Sequence, residues 1–209
     1  MNQLPDPAVA WHSPDSPGKP LVVLLHGRGS CETDILALAE YLPLGPSYAA
    51  VRAPIAEGPG FAWFANRGIG RPVAESLAET MAWFRGWLET VAPAPRPVIL
   101  VGFSGGAAFA GGLILDDPER FAGAAILRGT LPFDAGVPTT PSRLQDVPMF
   151  VAHGDADAVI PGELLESTWS YLTAESGAQT TSLRSAGGHS IGQDDVAALA
   201  RWITDIQDR

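Results

Sequence analysis

The sequence predicts an α/β fold, a single domain built on a mostly parallel sheet with helices on both faces. Three observations carry that prediction. The first is a set of short, dense apolar runs, PLVVLLHG at 20–27, PVILVGFS at 97–104 and VPMFVAHG at 147–154; each has the length of a strand and ends in glycine or a small residue, the pattern of strands buried on both faces. The second is alternation: segments with helical spacing separate the apolar runs, and parallel strands need such long crossovers to return to one edge. The third is size, since 209 residues, 46% hydrophobic and 17% charged, suffice for one substantial core and are short for two catalytic domains.

Taken in order, residues 1–19 read as an N-terminal arm of the 1–209 domain, either a short edge strand around Ala8 to His12 with a turn at Ser16-Pro17-Gly18 or a loosely held segment. After the strand at 20–27, YAAVRAP at 48–54 is a weaker strand candidate. Leu77, Met81, Phe84 and Leu88 then fall on one helical face, and Trp83 and Trp87, four residues apart on that stretch, read as packing. The strand at 97–104 leads into GAAFAGGLIL, a small-residue run able to form a helix. AGAAILRG at 122–129 and TTSLRS at 180–185 flank the strand at 147–154, and Val196, Leu199, Ile203 and Ile206 mark a last amphipathic helix. Proline and glycine punctuate the loops at GPSY, APIAEGPG, ANRGIGRP, APAPRP and DAGVPTTP, none long enough for an interdomain linker.

Composition excludes several function classes. With 13 Lys and Arg against 23 Asp and Glu, the formal charge of -10 works against a phosphate-backbone partner. No segment approaches the roughly 18 uninterrupted apolar residues that crossing a bilayer requires. Cys31 is the single cysteine and cannot form an internal disulfide; the chain also opens without a basic start or an apolar stretch, so a cytoplasmic protein is expected. Four histidines and one cysteine, scattered along the chain, give no zinc cluster, and no metal or other cofactor is expected.

The strongest local signal is Gly102-Phe103-Ser104-Gly105-Gly106, a G-x-S-x-G between a buried-strand pattern and a helix-forming run. At such a strand-to-helix turn the serine is forced outward, and the amide of the next residue, Gly105, points toward a developing oxyanion. A glycine-rich nucleotide loop is the competing reading, but a dinucleotide fingerprint requires G-x-G-x-x-G and an acidic residue at a strand end about twenty positions later. Neither is present. His26-Gly27-Arg28-Gly29 ends an earlier strand and supplies a second backbone donor, the Arg28 amide; His26 itself reads as holding that loop.

A carboxylate and a base complete the chemistry, because a serine hydroxyl is a poor nucleophile until a neutral imidazole takes its proton and a carboxylate fixes the imidazole's tautomer. The turn His153-Gly154-Asp155-Ala156-Asp157 offers two acids that spacing alone does not separate. His189, in Gly187-Gly188-His189-Ser190 before a helix that begins with Asp194 and Asp195, is the base candidate. Serine, aspartate and histidine then occur in the chain order of α/β-hydrolases. His12, His26 and His153 fit worse. Trp63 and Phe64, with Phe103 and Leu131 from neighbouring strand ends, are candidate substrate-pocket residues, core packing being the alternative; Cys31, beside the Arg28 loop, reads as a small non-essential residue.

Together LLHGRGS, RAPI, Trp63-Phe64, GFSGG, HGDADAVIP and GGHSI, spanning roughly residues 20–206, resemble the phospholipase/carboxylesterase branch of the α/β-hydrolases, which includes acyl-protein thioesterases and small bacterial carboxylesterases. The resemblance implies a single-domain α/β-hydrolase without a large lid, Ser104 and His189 as nucleophile and base, and Asp157 as acid, since the family's aspartate lies four positions after the histidine of H-G-x-x-D-x-V-[VI]-P. Asp155 falls on a variable position. Gly105 replaces the glutamine of the common G-F-S-Q-G, and Ser30 stands where thioesterase relatives often carry an acid. The expected activity is therefore a serine carboxylesterase acting through an acyl-enzyme on small esters or thioesters. The rivals are an acyl-protein thioesterase or lysophospholipase, and, from another class, a catalytically silent scaffold that binds a small ligand.

Overall fold

The apolar runs become the centre of a seven-stranded sheet in the computed structural model, which describes residues 4–208. Met1–Gln3, the start of the expected arm, and Arg209 lie outside the described residues. In chain order the strands are β1 (Val9–Trp11), β2 (Leu21–Leu25), β3 (Ser47–Val51), β4 (Ile55–Glu57), β5 (Gly60–Ala62), β6 (Asn66–Gly68), β7 (Arg71–Pro72), β8 (Val98–Phe103), β9 (Gly123–Leu127), β10 (Pro148–Gly154) and β11 (Gln179–Ser185). The helices are α1 (Glu32–Leu36), α2 (Ala74–Val91), α3 (Gly105–Asp116), α4 (Gly162–Ser170) and α5 (Gln193–Gln207).

The main sheet runs β1-β3-β2-β8-β9-β10-β11. Every pairing is parallel except the antiparallel edge contact of β1 with β3. Each expected strand is present, and the arm takes the edge-strand alternative. The arm is also tied down, because buried Arg96 donates to both carboxylate oxygens of Asp15, at 3.0 and 2.6 Å, and to the carbonyls of Ser16 and Lys19.

Alternation along the strands separates two cores. Leu21, Val23 and Leu25 of β2, with Val98 and Leu100 of β8, face α3 and the predicted stripe Leu77, Met81, Phe84 and Leu88 of α2. Val22, Leu24, Ile99 and Val101 face the other way, onto Ile35 of α1 and Leu199, Trp202 and Ile203 of α5. All five residues of β2 are buried, so no polar face survives on this strand.

The chain builds β2 and β3, then crosses to place β8 on the opposite side of β2. That reversal leaves a crevice at the carboxyl ends of β2 and β8, where open α/β sheets bind ligands. Two segments that the sequence marks only as loops, APIAEGPG and ANRGIGRP, fold into the small antiparallel hairpins β4-β5 and β6-β7 beside this crevice. Their short strands lack the apolar density that marks the main sheet. The described residues contain no inserted lid domain, and none of their helices is long and apolar enough to cross a membrane.

Candidate active site

Ser104 occupies the turn between β8 and α3 with φ 54° and ψ −115°, a left-handed backbone that costs a non-glycine residue energy and persists only where its surroundings enforce it. Its neighbours explain the enforcement. A Cβ on Gly102 would lie 2.2 Å from the Gly106 carbonyl oxygen, and one on Gly106 would lie 2.1 Å from that of Leu25, so only glycines allow α3 to close against β8 and β2. The Ser104 amide donates to the Leu127 carbonyl at 2.9 Å, locking the turn to β9.

Three loops converge here. The Ser104 hydroxyl lies 2.9 Å from His189 Nε2, and His189 Nδ1 lies 2.8 Å from Asp157 Oδ2. Asp157 Oδ1 accepts the amides of Val159 and Ile160 at 2.9 and 3.1 Å, which aims the carboxylate at the imidazole. Burial of the Asp157 side chain pushes its carboxyl up, but the hydrogen bonds from His189, Val159 and Ile160 and the imidazole's charge outweigh this and hold it below its ordinary value. Asp155 is exposed and donates its amide to Ser185; its side chain makes no hydrogen bond with His189.

The loop after β2 lies alongside. A Cβ on Gly105 would stand 3.3 Å from the Arg28 nitrogen, so the two candidate amides are neighbours. Gly105 is the first residue of α3, where an N–H has no intrahelical acceptor, and the Arg28 amide donates to no backbone carbonyl among the described residues. The Arg28 guanidinium turns outward and pairs with Glu57 of β4. Hairpin β4-β5 buttresses the same loop: Gly29 donates to the Phe61 carbonyl at 2.9 Å and Phe61 to that of Ser30 at 3.0 Å.

His26 is buried and holds this loop from within. Its Nε2 accepts the Ala53 amide at 3.0 Å, which places the proton on Nδ1, and Nδ1 donates to the Gly27 carbonyl at 2.8 Å. Burial holds its pKa below the usual histidine value, as a neutral ring with both nitrogens engaged requires. His153 is likewise buried and makes its contacts with Gly129 and Trp169, while Cys31 sits half-buried with its sulfur 3.1 Å from the Thr33 hydroxyl.

A cavity of about 330 Å³ opens at Ser104 and His189. Of the candidate pocket residues Trp63 and Phe64 line it, and the Trp63 indole donates to the His26 carbonyl at 2.8 Å. Phe103 and Leu131 do not line it, which corrects the expectation. Phe103, the last residue of β8, packs under Gly27 and beside the His189 ring, 5.2 Å between centroids, while Leu131, four residues beyond the end of β9, is fully buried against α3. Thr130, Asn66, Ile69, Val159 and Ile160 take those places. Ile69 and Val159 are 50% and 44% exposed, forming an apolar mouth. No periodicity marks these residues, because hairpin β6-β7 and the Asp157 turn bring them together. Among the described residues there is no cluster of histidine, cysteine and acidic side chains able to hold a metal.

The sequence profile described as Phospholipase/Carboxylesterase matches residues 7–206. Acyl-protein thioesterase 1 of Kluyveromyces lactis is 26% identical over 178 residues, covering 76% of this chain and 78% of that protein. A carboxylesterase structure from Mesorhizobium loti superposes with a TM-score of 0.78 at 27% identity, covering 90% of each chain. The Bacillus cereus carboxylesterase superposes at 0.83 with 22% identity, covering 96% of this chain and 94% of that one, a likeness of fold.

Proposed function

The chain belongs to the phospholipase/carboxylesterase family of α/β-hydrolases, and on that premise we propose that it is a serine carboxylesterase that hydrolyses small esters through an acyl-enzyme. The observation that supports this most is the unbroken hydrogen-bonded line from Ser104 through His189 to Asp157, beside two neighbouring backbone amides. In this reading His189 Nε2 takes the Ser104 proton as Oγ attacks the ester carbonyl. The Arg28 and Gly105 amides receive the oxyanion, each such donor being worth ~10²–10³ in rate. Collapse of the tetrahedral intermediate expels the alcohol, which leaves with the proton from His189. Water, activated by the same ring, then releases the acid.

The cavity supports short acyl groups over long ones. Its volume of about 330 Å³ is at the lower end of the roughly 300–1,000 Å³ of small-molecule sites. The likeness to an acyl-protein thioesterase carries thioester hydrolysis as a second reading, because the same attack serves both carbonyls. A p-nitrophenyl ester series of increasing acyl length, run beside acyl thioesters, separates the two: carboxylesterase action predicts highest turnover on short oxygen esters. Ser104→Ala is expected to abolish hydrolysis and fluorophosphonate labelling while leaving the fold intact by circular dichroism. Retained hydrolysis in that variant would overturn the assignment of the nucleophile, and a wild-type protein inert to both probes would favour a silent binding scaffold.

A further inference from the structure

We propose that Arg128 and Asp195 form a buried clamp that positions the His189 loop, a role that rests on the reading of His189 as the base. Both side chains are almost wholly buried, at 1% and 2% exposure, and Arg128 Nη2 pairs directly with Asp195 Oδ2. The remaining bonds of this pair go to the loop. Arg128 donates through Nε to the Ser190 carbonyl at 3.0 Å and through Nη2 to the Ser185 hydroxyl at 2.8 Å, and Asp195 Oδ2 accepts the Gly192 amide at 2.7 Å. The segment carrying His189 is thus gripped before and after the imidazole.

The backbone is shaped to permit this grip. Arg128, just past the end of β9, has a φ of 48°, the left-handed region where strain in a side-chain-bearing residue points to function. At the end of β10 a Cβ on Gly154 would lie 2.6 Å from Arg128 Nη1 and 2.2 Å from the Gly187 carbonyl oxygen, so the guanidinium fits only because that position is bare. Arg128 Nη1 and Asp195 Oδ1 have no hydrogen-bond partner among the described residues. A buried ion pair with unused polar atoms is a poor source of stability but a firm geometric constraint. His189 needs one, since Gly187 and Gly188 immediately before it give the loop wide conformational latitude, their carbonyls are held, among the described residues, only by the amides of Ala156 and Ser190, at 3.2 and 3.0 Å, and proton transfer tolerates little displacement.

Two variants and two measurements test the clamp. Arg128→Lys keeps the charge and removes the planar fork; we expect kcat on a p-nitrophenyl ester to fall about 10- to 100-fold with KM nearly unchanged. The double variant Arg128→Met/Asp195→Leu removes both charges, so stability is expected to approach that of the wild type while kcat stays low. In both, the downfield proton resonance of the His189 Nδ1–Asp157 hydrogen bond is expected to shift or broaden, as a purely stabilising pair would not require. Wild-type kcat in either folded variant, or an unmoved resonance in both, would overturn the proposal. The resonance is read without substrate, so a wild-type protein inactive on esters would count against the esterase reading alone. Should Arg128→Lys fail to fold, the double variant decides.

Discussion

Asp157 divides its two carboxylate oxygens between His189 and the backbone: Oδ2 lies 2.8 Å from Nδ1 of His189, while Oδ1 is held by the amides of Val159 and Ile160. Asp155, two residues earlier, faces solvent. The difference follows from the turn that the chain makes after β10, which points one acid back over the sheet and the other away from it.

Asp157→Asn is expected to lower kcat by on the order of 10⁴, because a neutral amide no longer enforces the imidazole tautomer that receives the Ser104 proton. Asp155→Asn is expected to leave kcat within about twofold, as surface changes away from packed features usually do little. Steady-state kinetics on one p-nitrophenyl ester measures both, and a reversed order of damage would place the acid at Asp155.

The serine turn predicts a sharp contrast between adjacent glycines. Gly106→Ala drives a Cβ to 2.1 Å from the Leu25 carbonyl oxygen, backbone that has nowhere to move, so a loss of about 3 kcal/mol or more is expected, the upper end of overpacking costs. Gly105→Ala meets its nearest atom, the Arg28 nitrogen, at 3.3 Å. A shift of a few tenths of an ångström accommodates it, and a destabilisation under about 1 kcal/mol is expected. Urea denaturation of the two variants checks the contrast.

His153 predicts a pH dependence of stability. Burial pushes its pKa down to about 4, outweighing the raising effect of its bond to the Gly129 carbonyl, whereas the unfolded chain carries an ordinary histidine near 6.5. Between those values the unfolded state binds a proton that the folded state refuses. Stability therefore falls as pH drops from about 6.5 to about 4, by on the order of 3 kcal/mol from this ring. His153→Gln is expected to flatten the fall over that window by a comparable amount in urea midpoints. Asp15, Glu32 and Asp157, whose carboxyls are held below their ordinary values, act at lower pH, where acid removes their contribution.

Much of this was legible in the linear chain because its signals are local. Runs such as LVVLL in β2 can only be strands buried on both faces, the spacing of Leu77, Met81, Phe84 and Leu88 defines one helix face, and Gly102 and Gly106 bracket a serine at a turn that only glycines allow. The hairpins beside the crevice were hidden because two- and three-residue strands carry no periodic signal. Proximity to strand ends suggests Phe103 and Leu131 as pocket residues, but packing between distant segments decides where each side chain points, Phe103 under Gly27 and Leu131 against Gly111 of α3.

The sequence by itself determined the layering of helices on a parallel sheet and the residue types able to perform acyl transfer, since burial pattern and turn chemistry are properties of neighbouring residues. Spacing left Asp155 and Asp157 open and the family resemblance favoured Asp157; only the tertiary structure set Asp157 against His189, brought Val159, Ile69 and Thr130 around one cavity, and joined Arg128 to Asp195 across 67 positions. Those relationships exist between segments far apart in the chain, where direction and distance arise from packing rather than from any neighbour along it.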